Sequence, residues 1–213
     1  MPNTPEGVTC LYALNKIGAV ANMIDLTTNN QNILERINRT ESQYLIMVDF
    51  LADKINEIKN DSSLKTIVSV SPTNSLPKIV NLLIKIKSKQ LLRKSNDFLT
   101  WKSFVALGKR KGNIVKALYE DNTPALIVYT GGTTGVPKGA VLSNAGINAT
   151  IYQLKHTKIQ SKPGDKYLDI MPPFIAYGVV CGIHNPLSEK QEIVVIPKFD
   201  AKKFAGYIKK YRP

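Results

Sequence analysis

The sequence predicts an α/β fold in which mostly parallel sheet is flanked by helices, and two observations predict it. Short apolar runs alternate with helical patterns through the first third of the chain and again after residue 124. Midway, a loop rich in glycine and threonine separates two strand-like runs. Alternation of this kind requires crossover connections, whose helices cover both faces of a sheet. Thr4 offers an N-cap, Pro5 a first helical position and Glu6 an acid in the first turn, which predicts a helix near 5–16. A strand near 19–24, a helix near 30–39, a strand near 44–48, a helix near 51–59 and a strand near 66–70 follow. Ile79, Leu82, Leu83 and Ile86 recur at i, i+3, i+4 and i+7, the stripe of an amphipathic helix spanning roughly 78–94. Lys94 to Asp97 and Gly108 to Asn113 read as polar or Gly-containing connectors around Trp101 and Phe104, the region of poorest expected order. The pattern resumes with strand-like runs at Ala125–Tyr129 and Ala140–Leu142. Ser143 then caps a helix from Asn144 to about His156. A turn at Lys162–Asp165, a strand near 167–171 and a helix from Phe199 to Tyr211 complete the order.

With 213 residues, 43% of them hydrophobic, the chain suits one domain or part of a larger one. The second reading is preferred, because the first helix begins at once with no strand before it and the last stops at Arg212-Pro213. Both ends read as cut. The net charge is +13, from 29 basic and 16 acidic residues. The excess is local: between Lys78 and Lys116 lie eleven basic residues, with Asp97 the only acidic one. A basic amphipathic helix over 78–94 is suited either to an anionic membrane surface or to a solvated face docked on the core. No aromatics are interleaved with its lysines and no nucleic-acid motif occurs, so nucleic acid is not an expected partner. Cys10 and Cys181 have no metal-like spacing, which suits a reducing cytoplasm. No secretory leader is evident, and no apolar run approaches the roughly 18 residues that span a bilayer.

The most informative stretch is Tyr129-Thr-Gly-Gly-Thr-Thr-Gly-Val-Pro-Lys-Gly-Ala-Val-Leu-Ser143. Its composition is that of a phosphate cradle. Glycines let backbone N–H groups approach an anion, threonine hydroxyls add donors, and a lysine supplies a mobile charge. The spacing fails a Walker A loop, because Lys138 stands between Pro137 and Gly139. A dinucleotide Gly-x-Gly-x-x-Gly register is equally unavailable. Over Thr130 to Gly139 the loop resembles the signature of the adenylate-forming superfamily, which includes acyl-CoA synthetases, adenylation domains of peptide synthetases, and luciferases. The resemblance extends to Met1–Glu6 with Leu11–Val20, similar to the early helix and strand of the acyl-CoA synthetase branch. Met171-Pro-Pro-Phe-Ile-Ala-Tyr-Gly178 is similar to the segment bordering the acyl pocket. Residues 60 to 120 carry no matching motif.

The resemblance implies that residues 1–213 are a partial N-terminal adenylation domain, truncated at both ends and lacking the mobile C-terminal domain. It implies attack of a carboxylate on the α-phosphate of ATP, then transfer of the acyl group to coenzyme A, with Mg2+ as the accompanying ion. Thr130, Thr133, Thr134 and Lys138 would contact phosphates, and Gly131, Gly132, Gly135 and Gly139 would give the loop its conformation. Lys138 is the expected catalytic residue, and Phe174, Tyr177 and Gly178 are candidates for the acyl pocket. Ile175 stands where many relatives have a histidine, so a role for that histidine does not carry over. Asp25-Leu26 replaces a proline-containing turn. His184 is expected to be structural, and His156 to favour a helix C-terminus. The ligands of adenine, ribose and magnesium, and a second catalytic lysine, would lie downstream, so the polypeptide alone is not expected to complete the reaction. Alternatives are a domain that loads a carrier protein, and a non-catalytic paralogue that binds anions or nucleic acid.

Overall fold

The computed structural model describes residues 4–75, 97–114, 116–130, 138–157, 161–196 and 199–213. The amphipathic helix expected over 78–94 and loop residues 131–137 lie outside the described residues. The chain forms two compact units, one of residues 24–115, the other of residues 2–23 together with 116–213.

In the first unit, strands β2 (Tyr44–Val48), β3 (Thr66–Val70) and β4 (Leu99–Thr100) form a parallel sheet in that order. The register runs from Tyr44 opposite Thr66 to Val48 opposite Val70, and Val68 pairs with Leu99. Helices α2 (Asn30–Arg39) and α3 (Ala52–Ile58) of the same unit each bury an apolar face. Ile33, Ile37 and Ile55 are fully buried, as are Met47 and Val48 of β2 and Val70 of β3. Each such side chain contributes about 1.5–3 kcal/mol by leaving water. The Asn29 side chain caps α2, accepting the Asn32 N–H at 2.8 Å.

The connector expected around Trp101 and Phe104 is instead helix α4 (Trp101–Arg110). The Thr100 hydroxyl caps it, accepting the Ser103 N–H at 3.2 Å, and Lys109 and Arg110 face the negative end of its dipole. A single interior glycine, Gly108, costs only about 1 kcal/mol relative to alanine. Cap and terminal charges together outweigh that cost, so glycine there does not break the helix.

In the second unit, β1 (Ala21–Met23), β5 (Pro124–Thr130) and β6 (Lys138–Ser143) form a sheet in that order. β1 and β5 are parallel, with Ala21 opposite Leu126, whereas β5 and β6 are antiparallel. Among the described residues this is the only antiparallel pairing. The strand-like runs on either side of the glycine-rich stretch thus pair as a hairpin, and β6 is only partly buried: Val141 is 58% exposed.

One sheet face packs beneath helices α1 (Pro5–Lys16) and α5 (Asn144–Lys155) and a π-helical segment, Gly178–His184. Leu126, Val128, Ile151, Val179 and Val180 form the centre, joined by Leu11, Leu14, Ala140 and Leu142. A two-stranded parallel sheet, β7 (Lys166–Asp169) with β8 (Glu192–Val195), adjoins the π-helix through Asp169 and Gly182. Helix α6 (Asn185–Ser188) precedes β8, and α7 (Phe204–Tyr211) ends the chain. Among the described residues no helix is long and apolar enough to cross a membrane.

Candidate functional site

Strand β5 carries the candidate site. Ala125, Leu126 and Val128 are buried, which anchors the strand, and the chain then emerges at the exposed Thr130. Across the hairpin Thr130 pairs with Lys138, the first residue of β6, also exposed. The Thr130 hydroxyl donates to the Lys138 carbonyl at 3.4 Å, a long bond that leaves the oxygen free to engage other groups. A hydroxyl and an ammonium thus stand at the mouth of the hairpin, one on each strand. Gly131, Gly132, Thr133, Thr134 and Gly135 lie outside the described residues.

Gly139 has a role other than the expected one. No positive φ is recorded for it, so its backbone does not require glycine. A Cβ there would lie 3.2 Å from Ile127 Cγ2 and 3.3 Å from Tyr129 Cε1. A side chain there would push the Tyr129 ring and Ile127 a few tenths of an ångström away from β6. The Tyr129 hydroxyl in turn donates to Asn22 Oδ1 of β1 at 3.0 Å.

The second group of candidates lies at the start of the π-helix. Phe174 is half-buried, Tyr177 is 57% exposed, and Gly178 is buried. A Cβ at Gly178 would fall 1.9 Å from the Pro172 carbonyl oxygen, so this glycine serves backbone packing. The two groups share a core, because Val179 and Val180 immediately after Gly178 pack with Leu126 and Val128 of β5. Tyr167, facing Tyr177, Asp169 and Cys181, is pushed up to about 12, chiefly by burial. Cys10 is pushed up to about 11 by burial and by Glu6, and burial also raises Cys181. Both thiols are free and, at neutral pH, protonated, which makes neither a nucleophile.

His184 is held between two helices. Its Nδ1 lies 2.8 Å from the Tyr12 hydroxyl of α1, and its Nε2 lies 3.1 Å from Asn148 Oδ1 of α5. An amide oxygen only accepts, so Nε2 carries the proton and Nδ1 accepts from Tyr12. Burial, then Lys155, lowers the pKa of His184 and favours this neutral form. His156 closes α5, its Nδ1 2.8 Å from the Tyr152 carbonyl oxygen. Asn22, Tyr12 and Asn148 carry no sequence signal of their own, since each is a single polar residue whose partner lies far along the chain.

Among the described residues no cluster of three or more His, Cys, Asp or Glu side chains could hold a metal. The exposed Thr130 hydroxyl and Lys138 ammonium fit a polyanion such as a triphosphate.

A model of the AMP-binding enzyme family matches residues 1–213. The chain belongs to the AMP-binding enzyme family. It is 25% identical over 218 residues to a long-chain-fatty-acid–CoA ligase of Bacillus subtilis, covering 100% of this chain and 39% of that protein. Among solved structures, a red-emitting luciferase from Phrixothrix hirtus superposes with a TM-score of 0.77 at 19% identity, over 99% of this chain and 38% of the luciferase. ATP-bound MatB from Rhodopseudomonas palustris gives a TM-score of 0.74 at 18% identity, over 99% of this chain and 37% of MatB. The chain thus spans about two-fifths of the length of the relatives it matches, and its α/β fold is that of adenylate-forming enzymes.

Proposed function

We propose that the protein containing this chain is an AMP-forming ligase that activates a fatty or other hydrophobic carboxylic acid with ATP and passes the acyl group to coenzyme A. The observation that carries this reading is the hairpin mouth, with an exposed hydroxyl and an exposed ammonium flanking a glycine- and threonine-rich loop. The family match over the whole chain and the name of the Bacillus subtilis relative support it.

ATP would supply the electrophilic α-phosphate and the pyrophosphate leaving group. The carboxylate nucleophile is itself an anion, so the protein must offset charge and align the partners. Thr130, Thr133, Thr134 and Lys138 would bind the departing phosphates. An ammonium about 4 Å from a phosphate oxygen contributes on the order of 4 kcal/mol at an effective dielectric near 20. Lys138 would thereby hold negative charge as it develops. Gly131, Gly132 and Gly135 would let backbone N–H groups approach, whereas Gly139 admits the Tyr129 ring. Phe174 and Tyr177 would border the acyl chain, with Gly178 setting how closely their segment approaches Pro172. Mg2+ would take most of its ligands from outside this chain. Residues 1–213 would then be part of an N-terminal adenylation domain, acting with a mobile C-terminal domain, in the cytoplasm or at a membrane surface.

The test is to incubate the complete protein with ATP, Mg2+, coenzyme A and a panel of fatty and aromatic acids, and to identify products by mass spectrometry. An acyl-CoA accompanied by AMP supports the reading. Formation of ADP, or no thioester from any acid, overturns it. Acyl transfer only to a carrier protein would place the protein in the carrier-loading branch.

A further inference from the structure

The candidate site is held from one side by a contact that spans its whole sheet. Tyr129, the last residue before the loop signature, lies on the sheet face opposite the helices, as do Asn22, Ile127 and Gly139. Its ring covers the bare Cα of Gly139, the residue paired with it on β6, and its hydroxyl donates 3.0 Å away to Asn22 on β1. One side chain rooted in β5 therefore touches both neighbouring strands at the end of the sheet that bears the loop. Lys138 directly precedes Gly139, so any shift of Gly139 relative to β5 moves the backbone of Lys138 with it.

We infer that Tyr129, with Asn22 and Gly139, is a positioning clasp that sets where the Lys138 backbone enters the phosphate site. The inference rests on the ligase reading for its kinetic consequence, but its structural part stands independently. The β5–β6 hairpin needs such a device. β6 has only β5 as a strand partner among the described residues; Ala140 and Leu142 pack partly against the core, but Lys138, Gly139 and Val141 are exposed, so burial does little to fix the first two residues of the strand. Charge stabilisation depends on placement to a fraction of an ångström, and a loosened mouth would act on turnover more than on affinity.

Three variants of the complete protein test this: Tyr129→Phe, which keeps the ring and removes the donor; Asn22→Leu, which removes the acceptor; and Asn22→Asp, which retains it. The first measurement is amide hydrogen exchange at Gly139–Leu142. Tyr129→Phe and Asn22→Leu should each raise it about tenfold, the double variant no further, and Asn22→Asp should leave it near wild type. Unchanged exchange in the first two variants overturns the clasp whatever the enzyme's activity. The second measurement is acid-dependent turnover, where the same two variants should lose about tenfold in kcat with KM for ATP within about twofold. Faster exchange with kcat intact means that the clasp is structural only, and overturns the positioning role. Faster exchange in a protein with no acid-dependent activity upholds the clasp and instead removes the ligase reading.

Discussion

Gly178 and Gly206 both lie in helical backbone of the same unit, and replacing each with alanine should have opposite effects. At Gly178 the added Cβ would sit 1.9 Å from the Pro172 carbonyl oxygen and 2.7 Å from its carbonyl carbon. The first distance is more than an ångström inside the 3.0 Å that real Cβ atoms respect, and the obstacle is backbone. No rotamer change relieves it, so the π-helix must move away from the Pro172-Pro173 segment. Its Val179 and Val180 would then pull out of the core they share with Leu126 and Val128. Overpacking of this kind costs about 1–3 kcal/mol, and the backbone obstacle places Gly178→Ala at the upper end. At Gly206, within α7, a Cβ would meet nothing within 4 Å. Alanine there restricts the unfolded chain and should stabilise by about 0.5–1 kcal/mol. At about 2–4 °C per kcal/mol for a protein of this size, Gly178→Ala should lower the melting temperature by roughly 6–10 °C, and Gly206→Ala should raise it by about 1–3 °C. Differential scanning calorimetry on the complete protein reads both. A Gly178→Ala protein that melts within about 1 °C of wild type would refute the packing argument.

Other perturbations carry equally definite outcomes. Lys138→Ala should lower kcat by about two to three orders of magnitude while KM for ATP changes far less, as steady-state kinetics would register. Ser143→Ala removes the acceptor of the Gly146 N–H at 3.1 Å and should destabilise α5 by about 1 kcal/mol, measurable by urea unfolding. Because the folded pKa of His184 is lowered, the unfolded chain binds more protons below its ordinary pKa of 6.5. The contribution of His184 is thus complete above pH 6.5 and is lost as pH falls through the window between 6.5 and the lowered value. Unfolding titrations across that range should show a steeper decline for wild type than for His184→Asn. Tyr12→Phe leaves Nδ1 of His184 without its donor and should cost about 1 kcal/mol at neutral pH.

The parts of the fold legible in the sequence are those specified locally. Helix α1 has Thr4, Pro5 and Glu6 at its start, and the expected span 5–16 is the observed one. The apolar runs at 44–48 and 66–70 are likewise β2 and β3 without adjustment. Helix α4 was hidden because a glycine near its end resembles a stop signal, while its cap and basic last turn are weaker cues. Strand β8 is a four-residue run whose pairing with β7 is a long-range fact. The π-helix has no periodicity of its own in sequence, and it arises where Gly178 and Gly182 allow close approach to Pro172 and Asp169. At the site, the loop signature was plain because glycines, threonines and lysine are contiguous. The antiparallel return of β6 was not, since alternation alone does not distinguish a hairpin from a crossover. The tether from Tyr129 to Asn22 spans 107 positions, and nothing local in either residue announces it.

Exchange of labelled pyrophosphate into ATP by the complete protein, with and without a fatty acid and in the absence of coenzyme A, tests the central claim most directly. The account predicts exchange that requires the acid and that falls by about two to three orders of magnitude in Lys138→Ala. Exchange independent of any carboxylic acid, or acid-dependent exchange undiminished in Lys138→Ala, would contradict it.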